Sequence, residues 1–135
     1  MVDISTSMHG SKIDELNAGL QAYREELLRD PLASKRVEIA LLTFGGDVRR
    51  VVEFVTAENF NPPKLAVRGG TPMGEAIRVA LDMIEERKNV YRDNGIAYYQ
   101  PCVFMITDGE PNDHWKPVVS RVHKGEKQKA FQRCF

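Results

Sequence analysis

At 135 residues the chain is one domain or part of one, and a 42% hydrophobic share is ordinary for a packed core. Lys+Arg and Asp+Glu balance at 19 each, which leaves no basic footprint for nucleic acid and no polybasic anchor for a membrane surface. No apolar run reaches bilayer length and no secretory leader pattern opens the chain; Cys102 and Cys134 form no spacing motif, so the expectation is a reduced, cytoplasmic protein with Cys102 as a buried thiol.

The opening stretch, Met1 to Met8, reads D-x-S-x-S at the end of a short strand. Side chains alternate in an extended segment, so Asp3, Ser5 and Ser7 point the same way. One carboxylate and two hydroxyls suit a hard divalent cation such as Mg²⁺ or Mn²⁺. The plain alternative makes Asp3 or Ser7 the N-cap of the next helix, and this stretch alone does not separate the two.

Residues from Met8 to Arg29 predict an amphipathic helix, with Ile13, Leu16, Leu20, Tyr23 and Leu27 as its apolar stripe. Asp30-Pro31 ends it. Val37 to Phe44 predicts a strand buried on both faces beyond Glu38. The turn Gly45-Gly46-Asp47 then returns the chain through Val48 to Val55, an antiparallel strand at the sheet edge. A loop carrying Pro62-Pro63 leads to Gly69-Gly70-Thr71-Pro72, with Thr71 as N-cap and Pro72 as first residue of a second helix. That helix has the stripe Met73, Ala76, Ile77, Ala80, Leu81 and Ile84, and the polar run Glu85 to Gly95 closes it. The run Cys102 to Thr107 predicts a central strand, stopped by Asp108-Gly109. A third helix is expected from Trp115 to His123, with a second segment from Glu126 to Arg133. The basic residues Arg121, His123, Lys124, Lys127, Lys129 and Arg133 read as a solvated helix face.

Helices alternating with apolar strands give an α/β fold with a mostly parallel sheet and one antiparallel edge strand. Ligand sites in such sheets lie outside the carboxyl ends of the strands. If the first and fourth strands are neighbours, Asp3, Ser5, Ser7, Thr71 and Asp108 reach one crevice. Those residues offer five oxygen groups to an ion that takes about six, with water completing the shell. No catalytic set competes with this reading. Asp3 as the nucleophile of a metal-dependent phosphotransferase or hydrolase is the alternative, but an aspartyl-phosphate enzyme places a second Asp where Ser5 stands. No base lies beside a nucleophile, and the Gly69 to Gly74 loop lacks the Lys-Ser/Thr of a phosphate loop.

D-x-S-x-S, a remote Gly-Gly-Thr-Pro loop, and Thr-Asp-Gly after an apolar strand together resemble the metal-ion-dependent adhesion site of von Willebrand factor A domains. Within that family the chain is most similar to the bacterial tellurium-resistance TerY group. This rests on Leu20-Gln21, Asp30-Pro31, Leu42-Thr43-Phe44, Phe60-Asn61-Pro62-Pro63, Gly74-Glu75-Ala76 and Thr107 to Trp115. The resemblance implies a Rossmann-like, doubly wound fold. It also implies a single domain over residues 1–135, truncated at both ends so that the Cys102–Thr107 strand lacks its outer neighbour.

It further implies a metal-dependent protein-interaction module rather than an enzyme. Ser5, Ser7 and Thr71 would contact Mg²⁺ (or Mn²⁺) directly, with Asp3 and Asp108 acting through water or hydrogen bonds. One position would stay open for an Asp or Glu of a partner protein, with Gly70, Glu110 and Trp115 on the rim. The implied setting is cytoplasmic chemical-stress resistance, with kinase-like or phosphatase partners and neither nucleic acid nor membrane. Thr6 stands where the family commonly has glycine, at a position that is not a ligand.

Overall fold

The computed structural model describes residues 1–134, excluding the side chain of Cys134. In chain order its elements are β1 (Val2–Asp3), a 3-10 turn (Thr6–Met8), α1 (Ser11–Arg29), α2 (Pro31–Arg36), β2 (Glu38–Gly45) and β3 (Asp47–Thr56). A second 3-10 turn (Ala57–Asn59), α3 (Met73–Asp93), β4 (Cys102–Phe104), α4 (Lys116–Lys127) and β5 (Gln132–Cys134) complete it.

β2 is the middle strand of a three-stranded sheet, with β1 parallel on one side and β3 antiparallel on the other. Val2 pairs with Thr43 and Asp3 with Phe44. β4 and β5 form a second, parallel pair. A single parallel bridge, Val2 to Ile106, joins the two sheets, with Asp3 N donating to Ile106 O at 2.8 Å and Ile106 N to Met1 O at 3.1 Å. β1 therefore lies between β2 and the extension of β4, which sets Asp3 beside the Thr107-Asp108 segment.

Alternation along β2 sends successive side chains to opposite faces, and each face meets a different helix. Leu41 packs with Ile13 and Leu16 of α1 and with Val2, Ile4 and Phe60. Leu42 and Phe44 pack with Ala76 and Met83 of α3. The result is a mixed sheet with a helix on each face. Further along α3, Leu81 and Ile84 join Phe131, with Val103 and Val122 against them.

Several expectations are corrected. The first helix starts at Ser11, not Met8, because Gly10 takes a left-handed φ of 84° that separates it from the 3-10 turn. Asp30-Pro31 ends α1 as expected but also starts α2: the Asp30 carboxylate accepts from Leu32 N at 2.8 Å and Ala33 N at 3.1 Å, with proline at the first helical position. Tyr23, expected on the apolar stripe, is exposed.

β4 is short, three residues, but it has neighbours on both sides: β5 pairs with it directly, and β1 meets its extension at Ile106. Val103 faces the α3 side, whereas Phe104 and Ile106 are each 48% exposed, because no described element packs on their face. Its outer neighbour is present as β5; of the helical segment expected from Glu126 to Arg133, Glu126 and Lys127 close α4 while Gln132 and Arg133 enter β5. Cys102 is exposed and disulfide-bonded rather than a buried thiol, which removes the argument from a thiol to a reducing compartment. Among the described residues no helix is long and apolar enough to cross a membrane.

Candidate functional site

Three loops meet at the carboxyl end of β1. The first follows Asp3, the second holds Gly69 to Pro72, and the third follows Thr107. The first two are locked together by backbone: Ile4 O accepts from Arg68 N at 2.6 Å, and Gly69 O accepts from both Thr6 N and the Thr6 hydroxyl at 2.9 Å. Thr6, where a glycine could stand, thus ties one loop to the next. Gly69 has a φ of 57°, and a side chain there would collide with the Gly46 backbone, so only glycine lets these loops approach so closely.

Asp3 is fully buried. Its Oδ1 accepts from Ser5 N at 2.7 Å and its Oδ2 from the Thr107 hydroxyl at 2.6 Å. These bonds fix the carboxyl group in place, and no salt bridge reaches Asp3 among the described residues. Ser5 and Ser7 share a hydroxyl–hydroxyl hydrogen bond of 3.0 Å, and the Ser7 hydroxyl donates to Asp108 Oδ1 at 2.7 Å. Asp108 Oδ2 is paired with the Lys12 ammonium, which also lies 3.4 Å from Ser7 O. Lys12 first, and then Ser7, hold the Asp108 carboxyl below the usual carboxylate range.

Thr71 completes the ring. It is nearly buried, and it is not the helix cap expected from sequence: Pro72 holds that position, with no side-chain capping bond. The first turn of α3 is capped instead from a distant loop. Asp113 accepts from Gly74 N at 3.0 Å and Glu75 N at 2.8 Å. Asn112 N donates to Thr71 O at 3.1 Å and holds the Thr71 backbone in place. The Thr71 hydroxyl makes no hydrogen bond within the described residues. The cap reading of Asp3 and Ser7 also fails, since α1 is preceded by Gly10 and has no side-chain cap.

Gly109 measures how closely these groups converge. A methyl group built on it would lie 3.6 Å from Ser7 Oγ, 3.7 Å from Thr71 Oγ1 and 3.8 Å from Asp3 Oδ2. Oxygens from the first two loops thus converge beside a glycine of the third. The donors are hydroxyls and carboxylates with no nitrogen or sulfur among them, a set matched to a hard divalent ion. Among the described residues no group of three or more His, Cys, Asp or Glu is placed to hold a metal ion, so any ion here would depend on the hydroxyls. Of the rim positions, Glu110 is exposed and Trp115 is 40% exposed, while Gly70 is half-buried beneath the Asn112 amide.

Sequence reasoning passed over Thr107, Lys12 and Asp113. Thr107 sits inside a motif already singled out. Lys12 carries its own signal: a cation in the first turn of a helix opposes the macrodipole and needs an anion nearby.

The fold and site define an α/β domain with a hydroxyl-rich oxygen cluster at the carboxyl ends of its strands. The sequence profile of the von Willebrand factor type A domain matches residues 1–110, and the chain belongs to that family. The matched span contains Asp3, Ser5, Ser7, Thr71 and Asp108. No curated protein matches the chain. Domains of this family are commonly metal-dependent and mediate protein–protein interaction.

Proposed function

We propose that this chain is a divalent-metal-dependent protein-interaction module and not an enzyme. Ser5, Ser7 and Thr71 would hold Mg²⁺ (or Mn²⁺) through their hydroxyls. Asp3 and Asp108 would support it through water and hydrogen bonds, forming a metal-ion-dependent adhesion site. The bound ion would supply an electrophilic centre. With few direct charges on it, such a centre attracts a carboxylate from outside. The partner is therefore a protein offering Asp or Glu across the rim formed by Glu110 and Trp115. The placement in a TerY-like, tellurite or chemical-stress system with kinase-like or phosphatase partners rests on the sequence resemblance alone.

One observation carries this reading: oxygens of Ser7, Thr71 and Asp3, drawn from two remote segments, surround the same point beside Gly109. That the buried Asp3 carboxylate has no cationic partner among the described residues supports it, because a buried charge is costly unless a cation compensates it. The nucleophile alternative is disfavoured by burial, since Asp3 has no exposed surface and both its oxygens already accept hydrogen bonds.

The test is thermal unfolding of chelator-treated protein with and without Mg²⁺. A ligand bound only by the folded state adds roughly 2.7 kcal/mol at a hundredfold excess over its Kd, which raises the Tm by several degrees. Asp3→Ala should abolish that rise. A wild-type protein whose Tm ignores both Mg²⁺ and Mn²⁺ would refute the metal reading.

A further inference from the structure

The Lys12 ammonium sits on Asp108 Oδ2, and Ser7 Oγ occupies Oδ1 of the same carboxylate. The Lys12 side chain is 54% exposed and that of Asp108 is 19% exposed, so the pair closes the outer edge of the oxygen ring while its lysine stem remains in solvent. Lys12 stands in the first turn of α1, immediately after the loop that carries Ser5 and Ser7. The helix does not favour a cation at that end, so the Asp108 carboxylate is what holds the ammonium there. Asp3, the other carboxylate of the ring, is committed to Ser5 N and Thr107, which leaves Asp108 as the group open to exchange.

We infer that Lys12 is a tethered cation that competes with the divalent ion for Asp108 and weakens metal binding to this site. The inference rests on the metal reading above. Without metal, the ammonium neutralises Asp108. When an ion enters the ring, the ammonium must either give up Asp108 or stay close to a second positive charge. An exposed ion pair of this kind shifts an equilibrium by at most about fivefold. Repulsion between an ammonium and a nearby dication acts in the same direction. Replacing the charge while keeping the stem should therefore tighten metal binding by about three- to tenfold.

The experiment is calorimetric titration of Mg²⁺ into chelator-treated wild type, Lys12→Met and Lys12→Arg at low ionic strength. Lys12 is largely exposed, so all three should fold, and circular dichroism of the metal-free proteins verifies this. The expected result is a Kd for Lys12→Met about three- to tenfold below wild type, with Lys12→Arg close to wild type because it keeps the charge. Equal or weaker binding by Lys12→Met, with wild-type binding intact, would overturn the inference and leave the metal reading standing. Absence of Mg²⁺ binding by wild type and both variants would overturn the metal reading, and this inference with it.

Discussion

At the scale of single residues, Thr71 separates a metal ligand from a helix cap. A capping threonine replaced by alanine costs about 1 kcal/mol. Here the hydroxyl has no partner within the described residues and Pro72 occupies the cap position, so Thr71→Ala should leave metal-free stability within roughly 0.5 kcal/mol of wild type. The same variant should lose the Mg²⁺-dependent rise in Tm, and Thr71→Ser, which keeps the oxygen, should retain it. Paired melts with and without Mg²⁺ decide the point. A metal-free loss of about 1 kcal/mol with the Mg²⁺ response intact would restore the cap. The D-x-S-x-S, Thr71 and Thr107-Asp108-Gly109 segments were legible in the sequence because each is a short run of oxygen side chains at an element boundary. The partners of Lys12 and Asp113 are not legible there, because they lie nearly a hundred positions away for Lys12, whose place in a first turn signals only that some anion is near, and 38 or 39 away for Asp113.

At the scale of elements, the first turn of α3 depends on a carboxylate from outside the helix. Asp113 binds two amides that the helix itself cannot satisfy, and its negative charge also faces the positive end of the macrodipole. Asp113→Ala should cost about 1 kcal/mol and lower the Tm by a few degrees. It should also weaken Mg²⁺ binding, because the same loop holds the Thr71 backbone through Asn112 N. Asp113→Asn, which keeps one acceptor, should lie between. Thermal melts and a Mg²⁺ titration of the three proteins read out both effects, and unchanged stability of Asp113→Ala would show that water caps the turn equally well. The long helices and the β2–β3 hairpin were legible from periodicity and the Gly45-Gly46 turn. α2 is not legible from periodicity, because Asp30-Pro31 signals a stop while the same dipeptide supplies the cap and the first helical residue of the next helix. β5 was missed because a strand of three residues carries no periodic signal.

At the scale of the molecule, the two faces of the sheet are held by apolar packing, and one polar tie clamps α3 to β2. Arg87 of α3 donates to Glu38 of β2 through Nε at 2.8 Å and Nη2 at 2.5 Å, and the Tyr91 hydroxyl donates to the same carboxylate. The Arg87 guanidinium chiefly, with Tyr91 helping and burial opposing, holds Glu38 below its ordinary pKa of 4.5. The carboxylate is thus more acidic in the folded chain than in the unfolded one, so its contribution is fully present above pH 4.5 and is lost as pH falls through the folded value. Both side chains are mostly buried, and removing the charge should cost roughly 1–2 kcal/mol at neutral pH. Glu38→Gln should therefore melt several degrees below wild type at pH 7, and the two curves should converge as pH drops below about 4.5. Tyr91→Phe, which removes the weaker bond, should show a smaller gap at neutral pH that closes over the same window. Tm measured against pH for the three proteins tests this, and a gap that stays constant down to pH about 3 would show that packing, not the ionised pair, is what Glu38→Gln disturbs.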